Sequence, residues 1–352
     1  MSTPDREVIP IREDERLDTA RLEPWLREYL AETNGNFDLA QFGGGHANLT
    51  YLIRFGETEY VLRRPPLGPV APSSHDMNRE HRVLKDLWRA FPLAPRSYAV
   101  CEDEEIIGAP FHVLERRNGI VVRRELPDDR DWTPELLARM GDMLVDVLAE
   151  LHGVNPADAG LDDLGRPDGF VERQLAGWTK RWRAAIHEEN PVMDKVIAWL
   201  HEGMPQSQRV SLLHNDFKLD NMLVDAEDPA TPRAVLDWDM CTRGDPLLDL
   251  GYVLTFWGQS DDDPAWILGA SMPTWNAGFP SRAEVIERYA KATGLDCSGV
   301  HWYQVFGVFK IAVILQQIYI RYLRGQTKDE RFAIFGKRIA GLTDKGRVLA
   351  GL

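Results

Sequence analysis

The segment SLLHNDFKLDN, residues 211–221, runs an apolar stretch into His214 and then crowds Asp216, Asp220 and Asn221 together. His214, Asp216 and Asn221 follow the pattern H-x-D-x-x-x-x-N. In that pattern a carboxylate accepts the proton of an attacking hydroxyl, and an amide oxygen a few residues later faces a magnesium ion. A tight loop leaving a strand lets the two side chains meet different partners, with His214 bracing the loop from behind. The plainer alternative is a satisfied loop whose acids cap a helix. Asp220 has no part in the pattern and is expected to be a loop or capping acid.

Further on, AVLDWDM supplies Asp237 and Asp239. A hard divalent cation takes carboxylate oxygens, and Mg²⁺ usually takes only one or two from protein. Asp237 directly follows the apolar run and is the expected metal ligand. Asp239 is expected on the same strand face, with a lesser role. Asp245 and Asp249, in RGDPLLDLGYV, are expected to hydrogen-bond the catalytic loop or cap the following helix.

Near the N-terminus, QFGGGHANLTYLIRF sets Gly43, Gly44 and Gly45 between two expected strands. Consecutive glycines allow positive φ and close approach of backbone N–H groups to phosphate; a plain tight hairpin explains them equally well. No Gly-Lys-Ser/Thr follows, and a strand rather than a helix comes next, so neither a Walker loop nor a dinucleotide fingerprint is present. In EYVLRR, alternation puts Tyr60, Leu62 and Arg64 on one face and Val61 and Arg63 on the other. Arg63 can therefore reach a phosphate; a solvated edge strand with scattered charge is the plainer alternative. Glu80, in MNREHRVLKDL, can lie beside a helical stripe and pair with Arg63, although taken alone it reads as a solvated helix acid.

These residues need particular elements to place them. Residues 1–16 read as a flexible leader and 17–30 as a helix. Strands at 50–55, 59–64, 96–100 and 110–116, with a helix near 76–90, form a mostly antiparallel N-terminal lobe over residues 1–116. Residues 117–352 form a mainly helical C-terminal lobe, interrupted by the strand signals VSLLH and RAVLDW. The fold class is α+β and bilobal. The apolar stretch 305–320 reads as a buried helix, too short to span a bilayer comfortably.

Composition narrows the partners. A formal net charge of −14 argues against nucleic acid or an anionic membrane as the main partner. Three widely separated cysteines give no disulfide framework and no zinc spacing, which fits a reduced, cytoplasmic setting. The polar start of the chain is not a signal peptide.

A glycine loop, a basic strand residue, a helical glutamate, a lobe junction, H-x-D-x-x-x-x-N and a strand-end Asp follow one another in protein-kinase order. LLHNDFKLDNMLVD and AVLDWDMCTRGDPLLDLGYVL resemble the corresponding segments of the aminoglycoside phosphotransferase-like family, small-molecule kinases with the protein-kinase fold. QFGGGHANLTYLIRF and YVLRRPP resemble the branch associated with acyl-CoA dehydrogenases. The resemblance implies ATP or GTP between two lobes, covered by residues 43–48 with Gly43, Gly44, Gly45, His46 and Asn48. It implies Arg63 at the phosphate position paired with Glu80, and a purine-reading hinge at Leu114, Glu115 and Arg116. It makes Asp216 the base, and Asn221 and Asp237 the Mg²⁺ ligands. Two departures stand out. Arg63 replaces the usual Lys, and no D-F-G or A-P-E segment is present, which points away from a protein kinase.

The expected function is γ-phosphoryl transfer from ATP or GTP to a hydroxyl of a small molecule, in a monomer or homodimer. An aminoglycoside acceptor is an alternative, although the C-terminus TDKGRVLAGL lacks an acidic cluster for a polycation. A weak nucleotide-binding pseudokinase or interaction module, and a metal-dependent phosphohydrolase, are the others. Trp178 and Trp182 are pocket wall or core. Arg116, Arg117, Arg123 and Arg124 are surface charge or a site for an anionic acceptor such as a CoA ester.

Overall fold

The computed structural model describes residues 8–43, 48–68, 76–327 and 329–352. The chain forms two compact units. The first comprises Met1–Asn118, Ala157–Leu161 and Ala234–Cys241, and the second the remainder. The segment carrying Asp237 thus belongs with the N-terminal unit, outside the 117–352 lobe expected for it.

The N-terminal unit is built on an antiparallel six-stranded sheet. In chain order it contains β1 (Val8–Ile9), α1 (Thr19–Tyr29), β2 (Phe37–Phe42), β3 (Leu49–Phe55), β4 (Thr58–Arg64), α2 (Met77–Leu87), β5 (Ser97–Cys101), α3 (Glu104–Ile107) and β6 (Phe111–Glu115). The spatial order is β1-β2-β3-β4-β6-β5. Strand alternation sends Tyr51, Ile53, Phe55, Leu62, Phe111 and Val113 into one core, where Leu22 and Leu26 of α1 meet them. Asp18 caps α1 by accepting from the Ala20 and Arg21 N–H groups, and Asp76 caps α2 by accepting from Arg79 N–H.

From Val8 onward the expected leader is ordered. Val8 and Ile9 pair with Phe42 and Gln41, and the Tyr51 hydroxyl donates to the Glu15 carbonyl at 2.7 Å. Sheet pairing and a buried hydroxyl order residues that composition alone marks as polar tail.

The C-terminal unit contains α4 (Pro134–Gly153), α5 (Phe170–Ala185), α6 (Pro191–Glu202), β7 (Ser211–Leu213), β8 (Met222–Val224), the start of β9 (Pro232–Val235), β10 (Thr242–Gly244), α7 (Leu247–Phe256), α8 (Pro264–Gly269), α9 (Arg282–Thr293), α10 (Val300–Leu323) and α11 (Phe335–Leu349). Thr133 caps α4 ahead of Pro134, and Ser281 with Glu284 forms a capping box on α9. The antiparallel β7–β10 pair aligns Leu213 with Thr242 and holds the strand that precedes His214. Among the described residues, α10 is the one helix long and apolar enough to cross a membrane. Here α5, α7 and α11 pack around it, and Val305, Phe309, Ala312 and Val313 are buried.

Candidate active site

In the N-terminal unit, β4 ends by presenting Arg63 on the face opposite the aromatic core. Antiparallel register places it beside His112 of β6. Glu80 of α2 is fully buried on that face and receives Arg63 Nη1 in an ion pair. The other end of the guanidinium, Nη2, donates to Asp237 Oδ1 at 2.7 Å. His112 Nε2 lies 3.2 Å from Glu80 Oε2, within ion-pair distance but off the line of a hydrogen bond. Behind it, the Ser97 hydroxyl lies 3.3 Å from His112 Nδ1 and 2.8 Å from His81 Nδ1. Burial alone would raise the Glu80 pKa; the Arg63 charge, His112 and the Trp238 N–H outweigh it and bring the carboxyl down to about 2. Burial likewise opposes the Arg63 charge, and Glu80 and Asp237 more than compensate, so its pKa is raised.

Asp237 is not on a strand. β9 ends at Val235, and Asp237 takes φ +68°, a left-handed conformation costly for a residue with a Cβ. This breaks the expected shared face with Asp239. The neighbouring residue holds the strained turn: buried Trp238 donates its indole N–H to the Val235 carbonyl at 2.7 Å and its backbone N–H to Glu80 Oε1 at 3.3 Å. Arg79 of α2 also donates to the Cys241 carbonyl, at 2.8 Å. One helix therefore anchors both Arg63 and the Asp237 loop. Asp239 contributes to the negative field on Arg63.

Of the remaining N-terminal candidates, Asn48 is buried just before β3, and Gly43 follows β2. Gly44, Gly45 and His46 lie outside the described residues. Leu114 and Glu115 close β6, and the Glu115 N–H donates to the Arg96 carbonyl at 2.8 Å. Arg116 follows the strand and lies over the Phe42 ring.

In the C-terminal unit, the chain leaves β7 at His214. Buried Asp249 of α7 accepts from the backbone N–H groups of His214 (2.6 Å) and Asn215 (2.8 Å). It also meets His152 Nε2 at 3.3 Å, and His152 Nδ1 meets the Tyr289 hydroxyl at 2.6 Å. Burial would raise the Asp249 pKa, but His152 and His214 bring it below the usual range. Asn215 has φ +65°, a left-handed turn immediately before Asp216. Asp216 donates its backbone N–H to His214 Nδ1 at 3.3 Å. The Asp216 carboxylate accepts from Asn221 Nδ2 at 2.8 Å and from Lys218 Nζ at 3.1 Å; burial first, and then the Asp216 charge, raise the pKa of the nearby Tyr252 hydroxyl. The Asn221 amide nitrogen is thus committed to Asp216, leaving its oxygen for another partner. Phe217 and Leu219 are buried and pin the loop.

Asp245 accepts from the Tyr303 hydroxyl at 2.6 Å and the Leu247 N–H at 3.0 Å, a helix-start role. Asp220 caps nothing among the described residues: its Oδ1 is buried without a hydrogen-bond partner, and burial raises its pKa. Trp182 is core; Trp178 is buried but turns its ring toward Arg181 and Lys310. Arg124 is committed to the Ile267 carbonyl and the Trp275 ring. Sequence reasoning missed His112, Lys218, Tyr252 and Lys310. His112 has no local spacing signal. Lys218 stands inside the motif, and Lys310 is the charge interrupting the apolar stretch of α10.

Residues 38–296 match the phosphotransferase enzyme family. The chain belongs to that family. A mouse relative of the chain, acyl-CoA dehydrogenase family member 10, is 32% identical over 93% of the chain and 31% of its own length. The chain spans less than half the length of the curated relatives it matches. A solved structure from Ralstonia eutropha JMP134, provisionally named an aminoglycoside phosphotransferase, is 30% identical with a TM-score of 0.81, covering 96% of this chain and 99% of that one. The bilobal kinase-like fold extends to a ternary complex of aminoglycoside phosphotransferase APH(4)-Ia with ADP and hygromycin B. That chain is 17% identical with a TM-score of 0.56, covering 92% of this chain and 98% of that one.

Proposed function

We propose that this phosphotransferase moves the γ-phosphoryl group of ATP or GTP to a hydroxyl of a small metabolite, with Asp216 as base. The observation that carries the proposal is the immobilised Asp216 carboxylate, fixed by Asn221 and Lys218 on a loop that Asp249 clamps from below. The acceptor hydroxyl gives its proton to Asp216, and its oxygen bonds to the γ-phosphorus. The bond from that phosphorus to the β–γ bridging oxygen breaks, and a nucleoside diphosphate leaves.

Asn221 and Asp237 are the residues that would hold Mg²⁺. Their donors fit a hard cation: an amide oxygen left by a committed amide nitrogen, and a carboxylate on a strained turn whose Oδ2 has no partner among the described residues. Bound there, the ion would offset phosphate charge. Arg63, held by Glu80, would take a nucleotide phosphate once released from Asp237. Three buried free cysteines support a reducing, cytoplasmic compartment for the reaction. The names of the curated relatives make hydroxyl-bearing acyl-CoA thioesters worth including among trial acceptors.

The test is Mg²⁺-dependent transfer from ATP and GTP to a hydroxyl panel containing sugars, hydroxyacyl-CoA thioesters and an aminoglycoside. Asp216→Asn should lower kcat by about 10²- to 10⁴-fold, with nucleotide affinity, read by calorimetry, changed only a few-fold. Transfer that survives in the variant would sink the assignment of the base. Nucleotide binding without any turnover would favour an interaction module.

A further inference from the structure

Lys310 of α10 and Lys345 of α11 are buried lysines of the C-terminal unit, and of the two Lys310 is the one that reaches the loop carrying Asp216. It is only 8% exposed, and no carboxylate lies within ion-pair distance of its ammonium among the described residues. Its one hydrogen bond among the described residues goes to the Asn215 carbonyl at 3.1 Å. An ammonium has three donors, so two remain without a hydrogen-bond partner. The ring faces of Tyr252 and Trp178 lie 4.2 and 5.8 Å from Nζ, a partial substitute for water. Burial depresses its pKa, and the fields of Asp216 and Asp249 work against that depression. Burying an unpaired ammonium costs several kcal/mol, and an aliphatic side chain would extend the surrounding apolar helix at no such cost.

Lys310 is not alone. Lys218 Nζ stands over the Phe256 ring at 5.7 Å while touching Asp216. Arg181 lies over the outer part of Trp178 at 4.5 Å, close enough for its charge to act on Lys310. In a chain with 55 acidic residues against 41 basic ones, three cations and three aromatic rings thus form one chain of contacts that reaches the Asp216 carboxylate through Lys218, and the Asp216 charge acts on Lys310. A polycationic acceptor would be repelled from such a wall.

We infer that Lys310, with Arg181 outside it, receives an anionic group of the acceptor, a carboxylate or a phosphate, beside the hydroxyl that Asp216 deprotonates. The inference rests on Asp216 being that base. The first experiment compares matched acceptors: 3-hydroxybutyrate and glycerate against their methyl esters, and sugar phosphates against the free sugars. The wild type should prefer the charged member of at least one series by about 10- to 100-fold in KM, and the preferred series separates carboxylate from phosphate. Lys310→Met should bring that ratio close to one, Lys310→Arg should keep it, and Arg181→Gln should reduce it partly.

A Lys310 that merely props the Asn215 carbonyl would instead lower kcat equally on charged and neutral acceptors and leave the KM ratio intact, which overturns the inference. So does a wild type indifferent to acceptor charge. Binding of inorganic phosphate and 3-hydroxybutyrate, followed by NMR without nucleotide, separates this failure from that of the phosphotransferase proposal. Anion binding that depends on Lys310 supports the inference even where transfer fails. Binding equal in wild type and Lys310→Met, or absent from both, overturns it.

Discussion

Arg63 shows what a single residue type changes. A lysine ammonium is a point charge, whereas a guanidinium offers donors at two ends of a rigid plane. Here one end pairs with Glu80 and the other with Asp237, 174 positions away in sequence. Arg63→Lys should keep the Glu80 pair and lose the Asp237 bond, at a cost of about 1–3 kcal/mol. Arg63→Met leaves Glu80 buried with no full countercharge and should cost about 3–5 kcal/mol. Urea unfolding of the three proteins checks the order; equal midpoints for wild type and the lysine variant would show that the Asp237 contact carries no stability. The face of Arg63 was legible in strand alternation; Glu80 taken alone read as a solvated helix acid, and only the kinase-like order of the chain tied it to Arg63. His112 was not legible. A lone histidine in a strand has no spacing partner, and its role appears only when register sets it beside Arg63.

At the level of elements, the catalytic loop depends on how closely α7 and α10 approach. Helix α7 carries Asp249, which holds the loop backbone, and α10 carries Lys310, which reaches Asn215. Two glycines allow the contact. A Cβ on Gly251 would lie 2.4 Å from the Tyr303 carbonyl carbon, and one on Gly307 would lie 2.5 Å from Thr255 Oγ1. Gly251→Ala gains up to about 1 kcal/mol in helix propensity and collides with backbone, so overpacking of about 1–3 kcal/mol or more should win. The variant should unfold at lower urea and lose transfer more than nucleotide binding. A midpoint at or above wild type would mean the helices separate freely. The helices themselves were readable from their apolar period and caps. The left-handed turn at Asp237 was not, because an apolar run ending in acids looks the same whether or not the backbone turns over. Nor was the ordered leader, whose pairing partner lies beyond Phe37.

For the whole molecule, acid should remove stability through a few buried carboxylates rather than through the net charge of −14. Protonating surface acids relieves self-repulsion and by itself favours the compact state. Glu80 works the other way. Its folded pKa is about 2 against an ordinary 4.5, so the unfolded chain binds the extra proton first between those values. Stability from Glu80 is therefore fully present above about pH 4.5 and declines as pH falls toward 2, a total on the order of 3 kcal/mol. Asp249 is also depressed and adds in the same direction below its ordinary 3.8; Asp220 is raised and opposes it. Glu80→Gln isolates the dominant group. At pH 7 it leaves Arg63 with Asp237 alone and should lower stability by about 3–5 kcal/mol. Near pH 3 the wild type has itself lost about 2 kcal/mol of the Glu80 contribution, so the gap between the two proteins should narrow by that amount. Urea midpoints at pH 7, 5 and 3 measure the gap directly. A gap that stays constant would show that Glu80 titrates alike in the folded and unfolded chains, and would remove the charge on Arg63 as the force that holds it.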